Sequence, residues 1–168
     1  MEITRTKRLL IRLLTADDAA MILQLLNEPA FLTNIGDKGV STLNEALNYI
    51  NTGPLAMQKS LGFSLYCCQL LSTGQAIGLS GLIKREGVEQ PEVGFAFLNR
   101  FCGQGYGYES AAAVIKHAKT RLGLKQLQAI CNRDNQASIG LLTKLGFVYQ
   151  QDIFLPGEVE KIKLFELC

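Results

Sequence analysis

Three alternate glycines, Gly103, Gly105 and Gly107, stand between an apolar run ending at Leu98 and a helical pattern that starts near Tyr106. Glycine opens backbone shapes closed to other residues, so successive N–H groups can converge, and a helix start adds the positive end of its dipole. A strand–turn–helix junction of this kind suits a phosphate or pyrophosphate. It is not a Walker loop, because no Lys-Ser or Lys-Thr follows the glycines. A dinucleotide fingerprint is disfavoured too: the third glycine comes one residue early and the preceding strands read as antiparallel. Glycines present only for turn sterics remain the plain alternative. A second polar pair, Asn135 and Ser138, sits where a strand gives way to a helix, and taken alone it reads as a cap. Bases are scarce. Glu92 opens the strand leading to the glycines and could act through a water or simply be solvated. Glu109 reads as a complement to the helix dipole, and the single histidine, His117, lies beside an apolar stripe.

Around these residues the chain reads as one domain spanning 1–168, with 48% hydrophobic and 19% charged residues and no low-complexity tract. The net charge of +2 is too small for a protein that neutralises nucleic-acid backbones. Five cysteines without CxxC spacing, beside one histidine, offer neither a zinc set nor an even disulfide framework. They read as reduced thiols. No apolar stretch approaches the ~20 residues of a membrane span, and the charged N-terminus is unlike a signal peptide. The expectation is a soluble cytoplasmic protein.

The elements that must position the site follow from pattern. Lys7 to Leu14 reads as a strand, followed by a helix capped near Thr15 and stopped near Pro29. Ser41 to Ile50 reads as a second helix closed by Gly53-Pro54, with its capping glutamate one residue late. Phe63–Leu71, Ala76–Ile83 and Glu92–Leu98 predict a three-stranded antiparallel meander. Ala111, Val114, Ile115, Ala118 and Leu122 share one helix face. A strand at Leu127–Cys131, a helix through Leu145, and two closing strands at Phe147–Phe154 and Val159–Leu167 complete the order. This pattern predicts an α+β fold: a mixed, mostly antiparallel central sheet of about seven strands, flanked by helices on both faces.

Together the motifs resemble the GNAT superfamily of acetyl-CoA-dependent N-acetyltransferases, and within it the Rim-type branch that acetylates ribosomal-protein N-termini. The likeness runs from Thr6-Lys7-Arg8-Leu9-Leu10-Ile11-Arg12 through Glu92-Val93-Gly94-Phe95 and Gly103-Gln104-Gly105-Tyr106-Gly107-Tyr108-Glu109. It ends at Asn135-Gln136-Ala137-Ser138-Ile139 and Leu145-Gly146-Phe147. The resemblance implies acetyl-CoA as cosubstrate and a primary amine as acceptor, with no nucleic-acid or membrane partner. Dimers are common in this branch, and a homodimer is among the assemblies it allows. The family's pyrophosphate motif fits in two registers, Arg100-x-x-Gly103-x-Gly105 or Cys102-x-x-Gly105-x-Gly107. The second matches the branch better, with Cys102 replacing a usual Arg, Gln or Trp. Cofactor contacts are then expected from Phe97, Leu98, Cys102, Gly103, Gln104, Gly105, Tyr106, Gly107, Asn135 and Ser138. Where most of the superfamily has a catalytic tyrosine this chain has Leu142; Ser138, one turn earlier, becomes the candidate acid for the leaving thiolate, with Glu92 as candidate base.

The implied chemistry is direct attack of a neutral amine on the thioester in a ternary complex. Near pH 7 an α-amino group is roughly a tenth neutral, a lysine about one part in several thousand. Deprotonating lysine therefore costs about 4–5 kcal/mol and needs a real base; an α-amine hardly does. The missing tyrosine and the ambiguous base also allow a non-catalytic acyl-CoA-binding module on the same fold. A nucleotide-binding domain is a weaker third reading. Asn34 to Val40 and its flanking helices, where the family builds its acceptor groove, hold nothing diagnostic of the acceptor.

Overall fold

The computed structural model describes all of residues 1–168. Eight strands form one sheet in the order β1-β2-β3-β4-β5-β6-β8-β7. These are β1 Glu2–Arg5, β2 Leu9–Arg12, β3 Leu65–Leu70, β4 Ala76–Ile83, β5 Glu92–Phe97, β6 Leu127–Cys131, β7 Val148–Ile153 and β8 Ile162–Leu167. Every neighbouring pair is antiparallel except β5 and β6. The predicted meander is therefore present as β3–β4–β5, and the expected mixed α+β sheet with it.

The strand count corrects the sequence reading from about seven to eight. Lys7 to Leu14 does hold one strand, the shorter β2; the added strand is β1, before it, which Thr6 to Arg8 fold back onto β2 in a hairpin, with Thr4 opposite Ile11 and Arg5 opposite Leu10. Four residues, three of them polar, carry too short an alternation to stand out.

Six α-helices flank the sheet: α1 Ala19–Leu26, α2 Pro29–Asn34, α3 Leu43–Ile50, α4 Ala56–Leu61, α5 Tyr106–Thr120 and α6 Gln136–Lys144. Two of them depart from expectation, and proline explains both. Pro29, read as a stop, is the first residue of α2, where its missing N–H costs nothing. Pro54 lies inside a helical run that continues from α3 through Asn51–Leu55 into α4. That stretch is a π-type turn, whose shifted hydrogen bonding accommodates a residue without a donor. The cap of α3 is also one residue later than read: Thr42 accepts from the Glu45 N–H at 3.1 Å, the ordinary three-residue spacing.

Helices cover both faces. Ala111, Val114 and Ala118 of α5 and Leu142 of α6 pack with Tyr66, Cys68, Leu82, Val93 and Leu127 on one side. Ile22, Leu25 and Leu26 of α1 and Ala46 and Ile50 of α3 pack with Cys67, Leu79 and Leu98 on the other. Side chains alternate along a strand, so Glu92, Gly94 and Ala96 face the α1–α3 side while Val93, Phe95 and Phe97 face α5.

Candidate active site

The parallel pair at the centre of the sheet barely forms. β5 and β6 are in register only at Glu92 opposite Gln128, with the Gln128 N–H donating to the Pro91 carbonyl just before. Beyond that point the strands part. The Leu98 N–H donates to Ile77 O on the β4 side at 3.0 Å. With a period of two, the main-chain groups of Phe97 and Phe95 therefore face the gap that β6 leaves. Of the two residues expected to contact an extended ligand here, Phe97 turns its backbone to the opening. Leu98 does not: its N–H is taken, and its carbonyl accepts from the Phe101 N–H at 2.8 Å.

At the mouth of the gap the chain passes through a short 3-10 turn, Asn99–Phe101, and the glycine loop, then enters α5. Gly103 (φ +75°) and Gly105 (φ +87°) are left-handed, a conformation that costs other residues about 1–2 kcal/mol. Gly105 is the N-cap of α5, whereas Gly107 lies within its first turn. No backbone N–H from Gly103 to Tyr108 donates to an acceptor in the protein. These successive donors, at the positive end of a 15-residue helix, make a place for an anion. Gly107 is bare for packing: a Cβ there would lie 2.9 Å from Leu141 Cδ1 of α6.

Cys102 and Gln104 serve the loop itself. Cys102 Sγ lies 3.6 Å from Phe97 O and 3.7 Å from Leu98 O, folded back over the end of β5. Partial burial, reinforced by the nearby Glu28 carboxylate, pushes its thiol up and away from thiolate. Gln104 Nε2 donates to Arg100 O at 2.9 Å. Tyr106 sets its ring against Phe101 and under the Arg8 guanidinium, 4.1 Å from the ring centre.

Across the gap, Asn135 caps α6 by accepting from the Ser138 N–H at 3.2 Å, so the capping reading of this pair is realised. The Ser138 hydroxyl, half-buried, makes no hydrogen bond within the chain. Phe97, the glycine loop, Asn135 and Ser138 thus gather at the C-terminal ends of β5 and β6. Glu92 stands at the other end of β5, about 16 Å along the strand from Phe97. Only a ligand extended along β5 touches both groups.

Glu92 is buried, and its carboxylate is engaged by Arg85, with Nε–Oε2 at 2.8 Å. Burial pushes its pKa up, and Arg85 and Lys38 pull it only part of the way back. Lys38, from the segment between α2 and α3, is pushed down by desolvation and by Arg85. Tyr49 of α3 is pushed up by burial. Neither Arg85 nor Lys38 was singled out by sequence pattern; a lone arginine in a turn and a lone lysine in a polar loop give no signal. His117 packs its ring edge-on to Tyr66, and burial and then Arg121 lower its pKa, as suits a packed residue.

Helix α2 bridges the two strand ends on the α1–α3 side. Glu28, its N-cap, accepts from the Asn99 N–H at 2.7 Å, and Thr33 O accepts from Asn132 Nδ2 at 3.2 Å. A cavity of about 470 Å³ opens there, lined by Gln24, Glu28, Pro29, Ala30, Asn99 and Arg100. Glu109 lies in the first turn of α5, as read, and its carboxylate is spent on the N-terminal hairpin, accepting from Thr6 Oγ1 at 2.5 Å and from Arg8 N and Nε at 3.1 and 2.9 Å.

Residues 8–148 match the acetyltransferase (GNAT) domain. YkkB of Bacillus subtilis is 26% identical over 151 residues, covering 88% of this chain and 86% of its own. The N-acetyltransferase YoaA of the same organism is 25% identical over 146 residues, covering 86% and 82%. Among solved structures the chain is similar to RimL, a ribosomal-protein alpha-N-acetyltransferase solved in complex with coenzyme A. That likeness has a TM-score of 0.84 at 17% identity and covers 99% of this chain and 97% of the other.

Proposed function

The chain belongs to the GNAT acetyltransferase family, and we propose that it transfers the acetyl group of acetyl-CoA to a primary amine by direct attack in a ternary complex. The observation that carries this reading is the parted β5–β6 pair with a row of unspent N–H donors at its mouth. The loop donors from Gly103 to Tyr108 would take the pyrophosphate, with the Gly105–Gly107 register opening the helix. The pantetheine arm would run along β5 against the main chain of Phe97 and Phe95, completing a ladder that β6 leaves unformed. Asn135 would reach the arm from the opposite wall, where its side-chain N–H groups are uncommitted.

Catalysis is then mostly positioning, with the Ser138 hydroxyl donating to the departing thiolate. Glu92 enters as a base only if it leaves Arg85 or works through a water. A site whose one candidate carboxylate is already paired favours an acceptor that needs little deprotonation. An α-amino group fits that better than lysine: near pH 7 its deprotonation costs about 1 kcal/mol against about 4–5, a difference of about 3.5 kcal/mol. A protein N-terminus or a small molecule can supply it.

A second reading, a non-catalytic acyl-CoA-binding module, is favoured by two observations: Leu142 is buried hydrocarbon and Glu92 is occupied. Titration calorimetry with CoA, followed by thiol release from acetyl-CoA over a panel of peptides and small amines, separates the readings. Micromolar CoA binding with turnover on an amine is the expected result. Binding without turnover selects the second reading, and no CoA binding overturns both.

A further inference from the structure

Glu109 and Arg8 are 101 positions apart, yet they meet at the glycine loop through a hydrogen-bonded relay that donor binding by itself does not explain. Arg8 lies in the β1–β2 hairpin turn. Its Nε and its own N–H both go to the Glu109 carboxylate, its plane lies over Tyr106, and its Nη1 donates to Gln104 O at 3.0 Å. The Thr6 hydroxyl donates to Oε2 of the same carboxylate, the oxygen that also accepts the Arg8 N–H. The guanidinium is thereby fixed on three sides.

Its grip on Gln104 O matters for geometry. In a trans peptide the carbonyl and the following N–H point in opposite directions, and every peptide bond of this chain is trans. Fixing Gln104 O toward the hairpin therefore aims the Gly105 N–H the other way, along the row of free donors. Gly105 is also what lets the arginine come so close, since a Cβ there would be 3.2 Å from Nη2. Charge matters equally. A carboxylate in the first turn of α5 would repel an anion at that helix end, and Arg8 neutralises it.

We infer that Arg8 is a positioning residue for the donor, setting the direction of the Gly105 N–H and cancelling the Glu109 charge beside the pyrophosphate site. Glu109, itself held by Thr6, holds the arginine, so the N-terminal hairpin tunes affinity for the nucleotide half of the donor. The inference rests on acetyl-CoA being the donor.

The test compares wild type with R8Q, R8K, E109Q and the double variant R8Q/E109Q. CoA affinity is measured by calorimetry, and steady-state rates with both acetyl-CoA and S-acetyl-pantetheine, which lacks the nucleotide and pyrophosphate. R8Q is expected to raise the CoA Kd and the acetyl-CoA KM about tenfold, the scale of one charge-assisted hydrogen bond, with kcat unchanged. Its rate with S-acetyl-pantetheine should equal wild type, a selectivity that general loosening of the fold would not produce. R8K, which keeps the charge but not the fork, falls between, and R8Q/E109Q regains part of the lost affinity because the bare carboxylate is gone. Wild-type CoA affinity in both R8Q and R8K overturns the positioning role alone, as does an equal loss with the two donors. Failure of wild type itself to bind CoA overturns the donor reading instead, and the role with it.

Discussion

Two glycines two residues apart should respond unequally to the same substitution, and the difference can be worked from their surroundings. At Gly105 the backbone is left-handed at φ +87°, so alanine there costs about 1–2 kcal/mol in backbone energy. The new methyl also meets Arg8 Nη2 at 3.2 Å, and that side chain cannot swing away without leaving Glu109 and Gln104 O. Gly105→Ala is therefore expected to destabilise by about 2 kcal/mol, lowering the melting temperature by roughly 4–8 °C in a chain of this size. At Gly107 the backbone is helical, where alanine gains about 0.5–1 kcal/mol over glycine. The opposing contact, Leu141 Cδ1 at 2.9 Å, is the far end of a half-buried side chain that can change rotamer. The two effects nearly cancel, and Gly107→Ala should melt within about 4 °C of wild type. Calorimetric or circular-dichroism melts of both variants at one pH and salt decide the matter. A Gly105→Ala protein as stable as wild type, or less perturbed than Gly107→Ala, would refute the conformational argument for the loop.

Three further outcomes follow from groups outside that loop. Asp18 is buried, with Arg12 on both carboxylate oxygens at 2.9 Å. Asp18→Asn should cost about 3 kcal/mol, roughly 6–12 °C in melting temperature. Burial pushes the Asp18 carboxyl up, but Arg12 and the Thr15 N–H push it further down, so its net pKa is lowered. Its stabilisation is thus complete above the ordinary carboxylate pKa and lost as pH falls through the lowered one; urea melts from pH 7 downward should show that loss in wild type and not in the variant. Ser138→Ala should lower kcat at least about tenfold with KM for acetyl-CoA unchanged, since the cap uses the Ser138 backbone and not its hydroxyl; an unaltered kcat removes Ser138 from the chemistry. Cys67 is buried and its thiol is pushed up to about 12 by burial and then Asp18, and Cys68 and Cys131 are buried as well. An aromatic disulfide reagent at pH 8 should titrate the exposed Cys102 and Cys168 in the native protein and the other three only on unfolding.

What could be read from the sequence and what could not divides along physical lines. The meander, α5 and α6 were legible because their apolar residues repeat at two or at three and four, and because Gly146 ends α6 in a left-handed turn at φ +96°. β1, α2 and the run through Pro54 were not. β1 is stabilised by pairing with β2 rather than by its own pattern, and prolines at 29 and 54 carry opposite meanings from the breaks they suggest. The candidate site divides the same way. The glycine loop and the Asn135–Ser138 pair are local signals, contiguous in the chain, so their types and spacing could be weighed directly. That Leu98 spends its N–H on Ile77, leaving Phe97 and Phe95 to face the gap, depends on which neighbour strand sits on which side.

The least legible part of the site is electrostatic. Glu92 and Glu109 look alike in sequence, each an acidic residue close to the glycine segment, and their surroundings give them opposite characters. Glu92 is pushed up because burial outweighs the combined pull of Arg85 and Lys38. Glu109 is pushed up by a smaller desolvation and then carried below its ordinary value by the Thr6 hydroxyl and by two donors from Arg8. The difference is made by residues 7 and 101 positions away, at Arg85 and Arg8, and neither arginine belongs to a motif that announces chemistry. A carboxylate's role is thus set by the number and charge of donors that the fold delivers to it. Glu109, saturated with donors, is fixed as a structural anion. Glu92, buried with only Arg85 bonded to it and Lys38 nearby, is the carboxylate whose protonation a further charge would most readily alter, because each new charge there acts in a poorly screened site.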